Sequence, residues 1–378
     1  MHKKGSFEER SLEARLFNEN SITPVTLNTQ KLYEKKLLTL HNHALRLNME
    51  PHFLKLPSVI NKLIEEGELS RNTIKIFRSA LLHKLYEEAL MAISMNEDLD
   101  IYKTVYDETR SIIAKDQTKK VSHQKVSQNT SSAKTKYFDE KFYNYCIAEL
   151  ANKVQINRTF RRSEASNDAY KMMYYFLKAN VILGLRPIEW FDASESTYLL
   201  TLQDNYSTAK RIPALSINNA KHTNGRANGE SRDILLTGIN DDQSEAITEL
   251  ISLFRKYNLK STDPERILRM LTKKMDRLGE TYISANSSTL TDQEMADIKS
   301  TSLYSTRHQA INNAKMSGFS KIKIAGMFGH VSINTHSKHY GKKGKGWMKL
   351  NVQPSPESIL AVNAPVLLSD LNIQNNSL

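Results

Sequence analysis

The sequence predicts a mainly helical α+β protein, with an all-helical domain followed by a second helical domain that carries a small antiparallel β-sheet. Three observations lead there. Apolar residues recur at helical intervals from Thr26 to about Ile113, and again from Tyr137. A β-prone stretch from Leu199 to Leu236 joins the alternating Leu215-Ser216-Ile217 to the continuous Ile234-Leu235-Leu236 through the turn-rich Asn224–Gly229, which reads as a long hairpin. Between the helical regions the chain changes character, with lysines at 115, 119, 120, 125, 134 and 136 against the single acid Asp116. That stretch reads as a linker, and 378 residues suit two domains.

Residues 1–25 are polar and mixed in charge and read as a loosely ordered arm. In the first domain, 26–113, Leu32, Leu37, Leu38, Leu40 and Leu45 set one amphipathic helix, and Val59, Ile60, Leu63 and Ile64 a second. Ser70 opens a third as a capping residue. Its buried face is expected to hold Ile76, Phe77, Leu81, Leu82 and Leu85, leaving Lys75, Arg78 and Lys84 to point elsewhere. The basic linker covers 114–136 and the second domain 137–350. That domain opens with a helix through Phe142 and Leu150, then a long apolar helix from Met172 to Ile182 that Gly184 ends. Pro187 suits the first turn of a new helix and puts Arg186 at the junction. After the hairpin, helices return from Gln243 to Leu278, a polar stretch covers Ser284 to Ser300, and 351–378 form a proline-containing tail.

Composition narrows the function. Lys and Arg total 53 against 41 Asp and Glu, a net charge of +12, the imbalance expected of a protein that neutralises backbone phosphates. Mean hydropathy is −0.51 and no apolar run reaches membrane-spanning length, which argues for a soluble protein with no membrane partner. The start, Met1 to Arg10, lacks the apolar core of a secretory signal, so a cytoplasmic location is expected. Cys146 is the only cysteine and lies among Phe142, Tyr145, Ile147 and Leu150, the setting of a packed core residue in a reducing compartment. His330, His336 and His339 have no carboxylate or zinc-type cysteine spacing among them, so neither metal nor cofactor is expected.

The chemistry is concentrated late in the chain. Gly184-Leu185-Arg186-Pro187-Ile188-Glu189, Lys221-His222-Thr223, Tyr304-Ser305-Thr306-Arg307-His308, Gly329-His330 and Tyr340 together resemble the tyrosine recombinase (phage integrase) family, and the helices of 26–113 resemble its core-binding domain. The roles make physical sense. Two planar guanidiniums, Arg186 and Arg307, suit the charge that grows on the non-bridging oxygens of an attacked phosphodiester, and they do so without a metal. A phenol needs such a cationic pocket to act as nucleophile, the part the resemblance gives Tyr340. His330 donates to phosphate or orients the phenol, and Gly329 permits close backbone approach. The proton for the leaving 5′-oxygen comes, by resemblance, from Lys221, although Lys210, Arg226 and Arg232 are nearby basic alternatives.

Two positions depart from the family pattern. Tyr304 stands where a histidine is usual, and a phenol there hydrogen-bonds but is no neutral-pH base. Tyr340 follows His330 by ten residues, one more than the commoner spacing. The resemblance implies a site-specific DNA recombinase or integrase of a mobile element, cleaving and rejoining through a 3′-phosphotyrosine intermediate. It further implies a homotetramer on paired double-stranded sites, accessory DNA-bending or directionality proteins, a nucleoid-associated place in a prokaryotic host, and a tail docked on a neighbouring subunit. Lys75, Arg78, Lys84, Lys119, Lys120 and Lys125 are the candidate backbone contacts. The alternatives are a topoisomerase IB-like or telomere-resolving enzyme, and a non-catalytic DNA-binding protein on the same scaffold.

Overall fold

A computed structural model describes residues 25–95, 97–112, 135–159, 164–201, 209–220, 227–260, 263–333 and 345–371. Lys119, Lys120, Lys125, Lys221 and Tyr340 lie outside the described residues, as do 1–24 of the arm and 114–134 of the linker. The described part is mainly helical with one four-stranded antiparallel sheet, and the chain divides into two compact units, 1–128 and 129–378. No helix among the described residues is long and apolar enough to cross a membrane.

The first unit contains α1 (Leu27–Arg46), α2 (Leu56–Glu65), α3 (Arg71–Ser94) and α4 (Asp100–Ser111). Thr26 and Ser70 cap α1 and α3 by accepting from the backbone N–H three residues on, the usual way to satisfy orphan donors at a helix start. The core joins Leu40 and Ala44 of α1, Val59, Ile60 and Leu63 of α2, Ile74, Phe77, Leu81 and Leu85 of α3, and Val105 of α4. One correction concerns α3. Its buried line runs Ile74, Phe77, Leu81, Leu85 and Ala89, while Ile76 and Leu82 are only half-buried. Stepping by three and then four residues from Ile74 follows the helical period more closely than a start at Ile76 does.

The second unit is built on α5 (Glu140–Thr159) and α6 (Glu164–Leu183), with a 3₁₀ turn (Pro187–Phe191) and three long strands, β1 (Ser194–Thr201), β2 (Ala209–Asn218) and β3 (Ser231–Leu235). There follow α7 (Asp241–Leu259), α8 (Pro264–Ala285), α9 (Asp292–Ser300), α10 (Leu303–Met316) and α11 (Lys321–Met327), then β4 (Gln353–Pro354), α12 (Pro356–Leu360) and α13 (Leu368–Leu371). From Met172 to Leu183, α6 buries Met172, Met173, Phe176, Leu177, Val181 and Leu183 outright, as a helix walled by neighbours must. It packs against α5, α7, α8 and α10. Cys146 is fully buried in this core, and burial pushes its thiol pKa up, so it is a packing residue.

The strands run antiparallel in the order β1-β2-β3-β4, and Ala214 faces Leu235 across the hairpin. Two expectations from the sequence need correction. The stretch from Ser284 to Ser300 contains α9, capped by a reciprocal Thr291–Glu294 box. Residues 351–371, expected as a tail outside the second domain, belong to this unit. Gln353 and Pro354 pair with Leu235 and Ile234, and Ile359 and Val362 pack on Ile322 and Ala325 of α11.

Candidate functional site

The site starts where α6 stops. Gly184 has φ +61°, a left-handed exit that favours glycine. A Cβ there would lie 2.3 Å from the Phe328 ring and 2.8 Å from Ala310. Asn180, fully buried on the last turn of α6, braces the junction beyond it. Its amide donates to the Leu185 carbonyl (3.0 Å) and to Thr306 Oγ1 (2.7 Å), while its oxygen accepts from the Trp190 indole (3.0 Å). One side chain thus ties α6, the 3₁₀ turn and α10 together.

Arg186 caps the 3₁₀ turn with its own ion pair. Its backbone N–H donates to Glu189 Oε2 (2.8 Å) and its guanidinium to Glu189 Oε1 (2.5 Å). Arg232 reaches the same carboxylate from β3 at 2.8 Å, and Arg307 comes in from α10 at 4.0 Å. Arg307 is anchored by donating to the Gly184 carbonyl (2.7 Å) and to the Phe328 carbonyl, with its guanidinium 5.7 Å from the Phe328 ring centroid. Arg232 donates to the Met327 carbonyl (3.0 Å) and to Asn219 Oδ1. All of these charged groups are buried, none more than 6% exposed.

His330 completes the arrangement. Its Nε2 lies 3.2 Å from an Arg307 nitrogen, and because a guanidinium only donates, Nε2 is the acceptor in a hydrogen bond between them. Its backbone N–H bonds the Ala325 carbonyl (2.9 Å). Gly329, at φ +64°, lets the chain pass where a Cβ would lie 2.6 Å from Asn219 Oδ1 and 2.9 Å from an Arg232 nitrogen. The hairpin joins the same carboxylate, since the Ala220 N–H donates to Glu189 Oε1 (3.3 Å), one residue before Lys221 in sequence.

The electrostatics are lopsided. Burial alone would raise the Glu189 pKa, but Arg232, then Arg307 and Arg186, outweigh it and hold the carboxyl well below the usual range. Burial lowers the Arg232 pKa, and Glu189 opposes that. Three guanidiniums share one carboxylate, a formal excess of two positive charges in a buried cluster. Uncompensated interior charge is costly, and an incoming anion relieves it. Arg186 Nε is buried with no hydrogen-bond partner among the described residues, a donor available to such an anion.

Of the residues singled out from sequence, the structure brings Arg186, Arg307 and His330 together. Tyr304 is one turn before Arg307, with its ring edge-on to His308 at 5.3 Å and 71°. Burial, then Arg307, Lys136 and Lys315, push the His308 pKa down to about 4, so it is a neutral packing partner. In the first unit Lys75 is exposed, Lys84 pairs with Glu88 at 2.5 Å, and Arg78 is half-buried, its pKa lowered by that burial and then by Arg110. Of those three, only Lys75 is plainly the solvent-facing cation expected of a backbone contact. Sequence reasoning named Glu189 only as a motif neighbour of Arg186 and Arg232 only as an alternative to Lys221, and it missed the place of both in the cluster. Arg232 left one clue, since it shares a strand face with Ile234 and so points inward. No group of residues suited to a metal ion occurs among the described residues. No family model matches the chain, and neither does any curated protein or solved structure.

Proposed function

We propose that the protein is a DNA strand-transferring enzyme, a site-specific recombinase of the tyrosine type. What supports the reading is the buried cluster of Arg186, Arg232 and Arg307 around Glu189, with His330 on Arg307 and an unpartnered donor on Arg186. Such a cluster is complementary to a phosphate that gains negative charge as it is attacked. Glu189 fixes the forks in place, so little reorganisation is needed at the moment of reaction.

In this reading Tyr340, carried from the sequence pattern, supplies the nucleophile. Its phenol gives its proton to solvent and Oη forms a bond to phosphorus as the bond from phosphorus to the 5′-oxygen breaks, and Lys221 gives that oxygen a proton. A 5′-hydroxyl from a second strand then returns a proton to Lys221 and displaces the tyrosine, which takes back a proton from solvent. The phosphotyrosine bond conserves the energy of the broken link, so no nucleotide is consumed. Acting on two duplexes requires several copies of the chain, and a homotetramer on paired sites is the assembly proposed.

A duplex taken from repeats flanking the gene, nicked so that the released strand end diffuses away, tests the reading. The wild type should accumulate a covalent protein–DNA adduct, and Tyr340→Phe should form none. Undiminished trapping by Tyr340→Phe, or cleavage that leaves ends free of peptide, overturns the assignment. Relaxation of one supercoiled plasmid without exchange between two would redirect it to a topoisomerase.

A further inference from the structure

A second concentration of positive charge lies on one face of α8. Arg266, Arg269, Lys273, Lys274 and Arg277 line, with Met270, a groove of 340 Å³ that no acidic side chain lines. The spacing explains the face, because steps of three and four residues keep a helix's side chains on one side. Arg269 has acidic neighbours at the helix start, Asp263 at 3.5 Å and Glu265 at 3.9 Å. Arg266, Lys273, Lys274 and Arg277 have no acidic partner among the described residues.

Lys274 is the built part of the groove. Its ammonium sits 3.3 Å above the Tyr170 ring centroid, taking an aromatic face where a carboxylate would be usual. Burial first, then the neighbouring cations Arg277 and Lys153, push its pKa down to about 8. Lys153 also faces the Tyr170 ring, at 5.8 Å, and is itself paired with Glu149.

This groove is separate from the arginine cluster. Tyr170 is near the start of α6 and Gly184 just past its end, and fourteen residues at 1.5 Å each put them about 21 Å apart. The eleven steps from Arg266 to Arg277 span about 16 Å and carry five cations, a mean step of about 4 Å between neighbouring charges. A duplex strand presents its phosphates about every 3.4 Å along the helix axis, a comparable density of opposite charge. A compact anion would need convergent donors, whereas this row is extended.

The geometry points to the α8 face as a second nucleic-acid surface, which grips the phosphate backbone of a duplex through Arg266, Arg269, Lys273, Lys274 and Arg277. It rests on the proposed reading only in taking DNA as the partner. A duplex held there lies along α8, away from the cluster where strand chemistry is proposed, so the surface contributes affinity and leaves the chemical step alone.

The test uses the full chain and a 30-base-pair duplex of arbitrary sequence, with affinity measured across a salt series. The wild type is compared with the triple variant Arg266→Ala, Lys273→Ala, Arg277→Ala, all three positions being exposed. Each lost phosphate contact lowers the slope of log affinity against log salt by about 0.9, so the variant should lose between two and three. Its thermal midpoint should stay within a few degrees of wild type. Lys55→Ala, Arg211→Ala, Lys349→Ala, at exposed positions outside the α8 segment, is the charge-matched control. An unchanged slope in the α8 triple variant overturns the inference. So does a polyglutamate peptide displacing more readily than duplex, which marks an acidic protein as the occupant. Loss of slope without any covalent adduct from the wild type leaves the groove standing and removes the proposed chemistry; an adduct with an unchanged slope does the reverse.

Discussion

The arginines around Glu189 and the cations along α3 are the same chemistry in two settings. Arg186, Arg232 and Arg307 are buried, come from a 3₁₀ turn, a strand and a helix, and converge on one carboxylate. Lys75 is exposed and Lys84 half-exposed on one helix, and Lys84 answers to a glutamate one turn away. In water a pair such as Lys84–Glu88 contributes about 0.3–0.5 kcal/mol, because the ions were already well solvated. In the interior, removing one partner leaves a desolvated charge unanswered and costs about 3–5 kcal/mol. The difference teaches that the cluster is held by mutual need, whereas α3 would keep its shape with its cations deleted.

Glu189→Ala should therefore have the largest effect, a loss of about 4 kcal/mol in urea unfolding, since it leaves three guanidiniums with no shared carboxylate. A loss below about 1 kcal/mol would break the comparison. Acid gives a second view. The depressed Glu189 pKa contributes stability that is present above the unfolded carboxylate value, about 4.3, and is lost as pH falls below it.

His308 acts earlier in the same titration. The unfolded chain protonates this ring near 6.5, whereas the folded chain resists until about 4. Between those values the unfolded state binds more protons, so stability falls as pH falls, by roughly 3 kcal/mol in all. Denaturation midpoints followed from pH 7 to pH 4 should show this slope, and His308→Gln should flatten it. A slope that survives the substitution assigns the acid sensitivity elsewhere.

Gly184→Ala probes the frame and not the charge. The added methyl meets Phe328 and Ala310 at a left-handed backbone position, and a loss of about 2–3 kcal/mol is expected from strain and overpacking together. Because Arg307 donates to the Gly184 carbonyl, the variant should also weaken duplex trapping more than its stability alone explains. Trapping at wild-type level in the folded variant would show that the anchor is dispensable.

These same residues mark how far the sequence could be read. Gly184, Pro187 and Ser70 announce backbone geometry locally, and the structure has a helix exit, a 3₁₀ start and a cap at those places. Arg186, Arg307 and His330 were legible as a set from their motif neighbours. Glu189 was legible only as a local ion pair, because its second and third partners come from 43 and 118 residues further along and no local pattern encodes them. The α9 helix had a readable signal, Thr291 followed three residues later by Glu294, hidden within a polar stretch. The two-residue β4 had none, since a strand that short has no period, and only the exposed edge of β3 gives it a place.

The smallest effect belongs to α3 and sharpens the contrast from the other side. Lys84→Ala should change stability by less than about 0.5 kcal/mol, and a double-mutant cycle with Glu88→Ala should return a coupling of about 0.3–0.5 kcal/mol that fades in high salt. The helix is carried by Ile74, Phe77, Leu81 and Leu85, none of which touches this pair's charge, so truncating the lysine removes a screened attraction and a little side-chain packing. A coupling above about 1.5 kcal/mol would mean that the pair is shielded from water in the working protein. Lys84 would then belong with the buried arginines, as a residue held for its charge and not as a solvated face of a helix.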